Sequence, residues 1–302
     1  MALTYSEISS ITEKYFVPKL VDNIFASNEA FMRAKKKWYE KGSGERVVQP
    51  VAYATTSAAG RFYGADSLDN TANDQISGLE FLWKQYYASI QITRLDELKN
   101  SGKEQVINFV KGKVQLAEKS LASLIGTDIF ADGTTANSIV GLKAVTDTTS
   151  TYGGVSKTAY SWLQGKVDST TTALSYIAIR KLLGRATIDA DSPTVGFCLQ
   201  STYDDLVGLF QPQQRFTDSK TADAGFSNIM FEGRPIIVDS HVSSGYMHFV
   251  NENYMNILHL EDFRFDPFIK PTNQAVSVAH IFWTAAMTCS NPRMQAMFTA
   301  LA

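Results

Sequence analysis

Cysteine is almost absent: Cys198 and Cys289 are the only two in 302 residues, too far apart in sequence for a disulfide framework or a paired metal-ligand spacing. Both read as small buried hydrophobes. Charge is scarce as well. Asp, Glu, Lys and Arg make up 19% of the chain, below the roughly 25% of typical domains, whereas aromatics reach 12%. That combination suits a protein with much of its surface covered by other chains, so oligomerisation is an expectation from the outset. The formal net charge is only −2, without the basic excess that neutralising many phosphates demands. A dedicated nucleic-acid binder is disfavoured, although local basic patches remain. No apolar run approaches the roughly 18 residues needed to cross a bilayer, and MALTYSEISS lacks a basic segment followed by an apolar core. The expectation is a folded chain made in a reducing cytosol, with no membrane partner.

Catalytic motifs are missing too. There is no G-x-S-x-G elbow, P-loop, G-x-G-x-x-G or H-E-x-x-H. GADSLDN at 64–70 is similar to the Gly-Asp-Ser-Leu block of some esterases, but Ala65 interrupts it and no D-x-x-H follows near the C-terminus. The four histidines, His241, His248, His259 and His280, fall on expected strands or strand ends without short metal spacing, so structural roles are expected. The carboxylate pairs Asp96/Glu97, Asp204/Asp205 and Glu261/Asp262 are sequence neighbours, which do not share a face of a helix or strand. No catalytic, cofactor-binding or metal-binding residue is expected, and the chain is read as not an enzyme.

What is present is a sequence of structural elements. Residues 5–41 read as interrupted helix, broken at Pro18 and ending near the basic run Lys35, Lys36, Lys37, an arm in character. A strand over 45–54 contains Pro50, which cannot donate to a ladder and so points to an edge or a bulge. A polar loop of about twenty residues follows, of a length that in compact domains is usually functional or ordered by a partner. Its only bulky group is Arg61, Phe62 and Tyr63. The chain returns as a strand over 79–93, with Phe81, Trp83 and Tyr87 on one face and Leu82 and Tyr86 on the other. A strand apolar on both faces must be covered on both sides, yet its polar neighbour has little to cover it with. Ser101 with Glu104 forms a capping box, and Ile107, Val110, Val114, Ala117, Leu121 and Leu124 mark one stripe of a helix over about 103–127. Residues 130–154 read as loop and short strand, 172–184 as an amphipathic helix, 194–200 as a buried strand and 203–210 as a short helix. Short strands follow from 227 to 262. A long strand then places Ile281, Trp283, Ala285, Met287 and Cys289 on one face.

This layout, with KYFVPKLVDNIFASNEAF, LEFLWKQYYASIQITRLDELKNSG, LASLIGTDIF, GLKAV, YGG and FEGRPIIVDS, resembles the major capsid proteins of tailed bacteriophages with the Hong Kong 97-like fold. The resemblance implies an α+β fold with an N-terminal arm (1–41), an extended β-hairpin loop (42–98), and a peripheral domain with a long spine helix (99–170). It also implies an α/β axial domain (171–264) and C-terminal strands returning to the peripheral domain (265–302). It implies a structural protein of the virion that self-assembles into hexamers and pentamers of an icosahedral head around packaged DNA. The implied partners are copies of itself, a portal protein, a separate scaffolding protein because the arm starts almost at Met1, and room for a decoration protein. Family members that crosslink use a lysine on the loop. None occurs between Lys41 and Lys84, so noncovalent contacts are expected. The expected inter-subunit contacts are Arg61, Phe62, Tyr63, Phe81, Trp83 and Tyr86, with Trp83 and Tyr86 alternatively in their own subunit's core. An encapsulin-like nanocompartment shell is the alternative on the same fold, and a soluble α/β enzyme with a cleft in 171–264 is the alternative from another class.

Overall fold

A computed structural model describes residues 28–69, 71, 74–99, 103–169, 174–210 and 229–301. The arm reading over 5–27, the capping box that needs Ser101, and the polar loop over 211–226 lie outside the described residues.

Helix α1 (Glu29–Lys37) opens on Asn28, whose Oδ1 accepts the Phe31 N–H at 3.0 Å. Glu29 in its first turn and Lys35 to Lys37 in its last suit the helix dipole. Strands β1 (Tyr39–Lys41), β2 (Arg46–Ala52), β3 (Ile76–Leu82) and β4 (Lys84–Thr93) follow, then α2 (Arg94–Lys99) and the 28-residue α3 (Lys103–Phe130), about 42 Å long at 1.5 Å per residue. A short α4 (Leu142–Thr146), the hairpin β5 (Thr151–Tyr152) and β6 (Val155–Ser156), and β7 (Lys166–Asp168) lead to α5 (Tyr176–Ala186). The remainder is β8 (Val195–Cys198), α6 (Gln200–Phe210), β9 (Met230–Phe231), β10 (Arg234–Val238), β11 (Met247–Val250), β12 (Met255–Phe265), β13 (Val276–Cys289) and β14 (Ala296–Phe298).

Two larger sheets organise these elements. The first runs β1-β12-β13-β4, with β1 parallel to β12 and the other pairs antiparallel. Ile281, Trp283, Ala285, Met287 and Cys289 alternate with the opposite face of β13, and this shared face is buried as expected. Trp283 lies edge-on to Phe31 of α1 at 5.6 Å and stacks on Phe263 of β12 at 5.5 Å. The second sheet runs β7-β14-β11-β8-β10-β9 and packs against Ile179, Leu182 and Leu183 of α5 and Leu206 of α6. Its β9–β10 hairpin turns through Glu232 (φ 47°) and Gly233 (φ 80°), two left-handed residues that match strand twist.

Several elements differ from the sequence expectation. The strand expected over 79–93 is two strands, because β3 pairs with β2 while β4 pairs with β13, and the break falls at Trp83. The loop-like stretch 130–154 contains α4, ended by a side chain from a distance: Lys157 is fully buried and its ammonium donates to the carbonyls of Ala144, Val145 and Asp147 at 2.6, 2.7 and 2.9 Å. The helix expected from 172 begins at Tyr176, where the Ser175 hydroxyl accepts the Ala178 N–H. On α3, Val110, Val114, Ala117 and Leu121 are buried, but Leu124 is exposed and Ile125 takes the inward position. Strand β12, most of which falls within 171–264, pairs with β13 in the first sheet. Conversely β7 and β14, outside that range, complete the second.

The two sheets are tied together through α1. The buried Glu252 carboxylate, between β11 and β12, accepts from Arg33 Nε at 2.6 Å and Lys37 Nζ at 2.8 Å. Burial pushes the Glu252 carboxyl up, but these charged donors outweigh it and hold it below the ordinary value.

Candidate assembly surface and the joint of the extended ribbon

Strands β2 and β3 form a two-stranded antiparallel ribbon paired from Arg46↔Leu82 to Ala52↔Ile76. Among the described residues neither strand has a ladder partner on its other edge, so Pro50 sits where a missing N–H costs no ladder bond, as expected. Alternation gives the ribbon two characters. Val47, Val51, Leu79 and Phe81 face inward and are buried in the subunit's own core. Val48, Ile76 and Leu82 face outward and are exposed, beside an Arg46–Glu80 ion pair at 3.0 Å that is itself exposed and worth little energetically.

Beyond the ribbon, Phe62 is 66% and Tyr63 90% accessible, and Arg61 and Leu68 are exposed with them. A small turn orders this apex: Gly64 has φ 62°, and Asp66 Oδ2 accepts the Tyr63 N–H at 2.9 Å. Two adjacent aromatics held in water cost free energy on the scale of their apolar area, roughly 25 cal/mol per Å². Such a surface points to a partner.

The other three expected contact residues sit elsewhere. Phe81 is 4% and Tyr86 5% accessible, so in this structure neither presents a side chain to a neighbour. The Phe81 ring lies edge-on to Tyr152 at 5.0 Å. Tyr86 donates to Asp128 Oδ2 of α3 at 2.6 Å and accepts the Ile139 N–H at 2.9 Å. Burial and the adjacent Asp128 hold the Tyr86 hydroxyl protonated far above its ordinary range. Trp83 is half-buried at the junction of β3 and β4, its Nε1 donating to the Gly44 carbonyl at 2.8 Å. The alternative of an own-subunit role therefore describes Tyr86 fully and Trp83 in large part. Phe81 and Tyr86 are covered by their own subunit because the ribbon folds down onto its own body. Tyr86→Phe should cost about 1–3 kcal/mol, since the Ile139 amide and the Asp128 carboxyl both lose a partner without access to water. A lower urea midpoint with an unchanged slope is the expected measurement.

A second exposed apolar region was missed in the sequence. Tyr87 of β4 and Leu116 and Leu124 of α3 are exposed around a groove of about 550 Å³ whose lining includes Ile90, Ala117 and Leu121. The signal that could have found it is Leu116, an apolar residue off the stripe; the spacing placed Leu124 on it.

Chemistry is sparse among the described residues. No group of three His, Cys, Asp or Glu side chains is placed to hold a metal ion, and no helix is long and apolar enough to cross a membrane. The closest approach to a catalytic pair is His241 Nδ1 against Asp239 Oδ1 at 2.8 Å. Its geometry is structural: the other Asp239 oxygen accepts the Ala30 N–H at 3.1 Å, and the imidazole rests on Gly126 of α3. His248 is a core residue whose burial, with Lys143 nearby, pushes its pKa down to about 4.

No protein-family model matches the sequence, and no curated protein is significantly similar to it. Solved structures are similar over nearly the whole chain. The capsid asymmetric unit of cyanophage A-1(L) has a TM-score of 0.69 at 12% identity, covering 91% of this chain and 93% of that one. The capsid of a native GTA particle has a TM-score of 0.67 at 13% identity, covering 89% and 90%. The SrpI encapsulin of Synechococcus elongatus has a TM-score of 0.58 at 11% identity, covering 91% and 88%. The chain has the Hong Kong 97-like capsid fold. Identity this low carries the fold and leaves the particle type to be argued.

Proposed function

We propose that this chain is a shell subunit, the major capsid protein of a tailed phage or a related particle, assembling into hexamers and pentamers that enclose nucleic acid. The observation that carries the reading is the exposed Phe62–Tyr63 apex on an extended loop, on a chain similar to a capsid structure over 91% of its length. Assembly is the mechanism: each copy buries its apex and outer apolar surfaces on neighbours, and many modest contacts sum to a closed shell. Contacts that are not self-complementary close into rings when the rotation between copies allows, as a capsomer requires. Arg61, Phe62 and Tyr63 supply the loop's contact, and Trp83 acts on it from within the subunit.

On this reading the axial domain comprises 166–250 with 296–298, and the peripheral domain comprises α1, α3 and the four-stranded sheet, a division that follows the two sheets. A separate scaffolding protein, a portal protein and, on the outer surface, a decoration protein are the partners, and the virion is the location. With no lysine between Lys41 and Lys84, the loop's outer part offers none for a crosslink, and the shell is noncovalent.

The similarity to an encapsulin over 91% of this chain supports a second reading, a nanocompartment shell around a protein cargo. Purified particles distinguish the two by content: a capsid carries nucleic acid protected from nuclease, whereas a nanocompartment copurifies with one stoichiometric protein.

A further inference from the structure

The ribbon meets its own body at three places, each made by a different element. At the root, the Trp83 indole donates to the Gly44 carbonyl at 2.8 Å and lies so close over Gly42 that a methyl group there would collide with the ring. Trp83 therefore bridges both chain crossings between ribbon and sheet, 42–45 on the way out and 83 on the way back. In the middle, the Glu80 N–H donates to the Gly153 carbonyl at 3.0 Å. Gly153, at φ 55° in the β5–β6 turn, leaves no room for a side chain against Leu79, whose Cβ would lie 2.6 Å away. That hairpin is fixed in turn, because the buried Tyr152 hydroxyl accepts the Cys289 N–H at the end of β13. At the far end, Tyr53 stacks on Trp162 at 5.3 Å.

These fasteners are unequal. The Trp83 N–H is bonded, whereas the Trp162 Nε1 is buried with no acceptor among the described residues. An unpaired buried donor offsets much of what the stack contributes. Clefts also undercut the ribbon: one of about 350 Å³ beside Pro50 to Tyr53 reaches Tyr254 and Arg293, and one of about 240 Å³ lies beside Glu80 to Leu82. Beneath the ribbon the inward Val47, Val51, Leu79 and Phe81 pack on the core, and the three contacts tie it to particular elements.

We propose that the ribbon is a lever whose direction is set by Trp83 as a fixed pivot, with the Tyr53–Trp162 stack as its releasable end. Trp83 is a positioning residue: it acts through the ribbon, determining where Phe62 and Tyr63 are carried, and so the angle between copies. The effect on particle size rests on the shell reading, while the mechanics of the ribbon do not.

The test is backbone hydrogen exchange on the unassembled full-length subunit, followed by particle diameters from electron microscopy. Trp83→Phe keeps the ring and removes the donor. It should accelerate exchange about tenfold in 80–84 with a near-unchanged unfolding midpoint, and yield shells of mixed diameter. Tyr53→Ala should accelerate exchange only at the far end, near 50–53 and 75–77, and leave one diameter. Gly42→Ala, which displaces the indole, should reproduce the Trp83→Phe pattern. Equal acceleration along the whole ribbon in both Trp83→Phe and Tyr53→Ala, or none in either, would overturn the lever. If wild-type chain forms no shells but the exchange pattern holds, the shell reading fails and the pivot stands.

Discussion

A chain lacking residues 60–74 is expected to fold, to remain soluble and to form no closed shell. The two halves of that expectation rest on different observations. Described residues in the deleted stretch are exposed, with Gln75 and Tyr53 left in place to close the ribbon through the Tyr53 N–H to Gln75 carbonyl bond. None of the described residues that leave with the apex belongs to the buried core. Shortening the connection about threefold changes loop-closure entropy by only about 1 kcal/mol, in the stabilising direction. Assembly is different, because Phe62 and Tyr63 are the largest exposed aromatics carried away from the body, and their contribution repeats at every copy. A loss of even about 1.4 kcal/mol per contact is tenfold in each association constant, and these factors multiply around a ring. Unfolding monitored by circular dichroism should be near wild type, while electron microscopy should show no closed particles. Normal particles from the deleted chain would remove the apex from the assembly interface.

Lys157→Met should produce a large loss of stability, about 3–5 kcal/mol from three carbonyls left without a donor. The ammonium is enclosed, donates to three carbonyls at the end of α4, and lies 5.2 Å from the Tyr152 ring. Replacing it by an apolar group relieves the cost of burying a charge, but leaves the Ala144, Val145 and Asp147 carbonyls unpaired in a place water does not reach. The second effect dominates, since three carbonyls lose their donor at about 1–3 kcal/mol each. The damage extends to the ribbon's seat, because Tyr152 and Gly153 share the hairpin that Lys157 anchors.

Lys157 also makes a prediction about pH. Burial pushes its pKa down to about 8, with Asp147 opposing that shift. Between there and the ordinary lysine value near 10.4 the unfolded chain binds more protons than the folded one, so this group's contribution to stability rises with pH across that window. The gap between wild-type and Lys157→Met urea midpoints should be wider at pH 9.5 than at pH 7. A gap that narrowed would mean the amine is not buried as described.

Much of the architecture was legible because it follows from periodicity. The alternation of β13, the edge character of Pro50 and the long α3 all come from spacing that one chain must satisfy alone. The contact residues were harder. An aromatic on a strand reads the same whether its own core or a neighbour covers it, so Phe81 and Tyr86 could not be separated from Phe62 and Tyr63 by residue type. What separates them is the direction of the ribbon, and that depends on Gly42, Gly153 and Lys157, residues distant in sequence from the aromatics they position. Lys157 illustrates the limit well: as a lone lysine in a polar stretch, it carries no sequence mark of burial. The clearest local clue was the polar run around Phe62 and Tyr63, which offers those two rings no cover within reach.

The central claim is that this chain builds shells. Size-exclusion chromatography and electron microscopy of the purified full-length chain, alone and coexpressed with a scaffolding protein, test it most directly. Capsomer rings or megadalton closed particles are the predicted result. A monodisperse small oligomer under both conditions, with no particle on the grid, would contradict it.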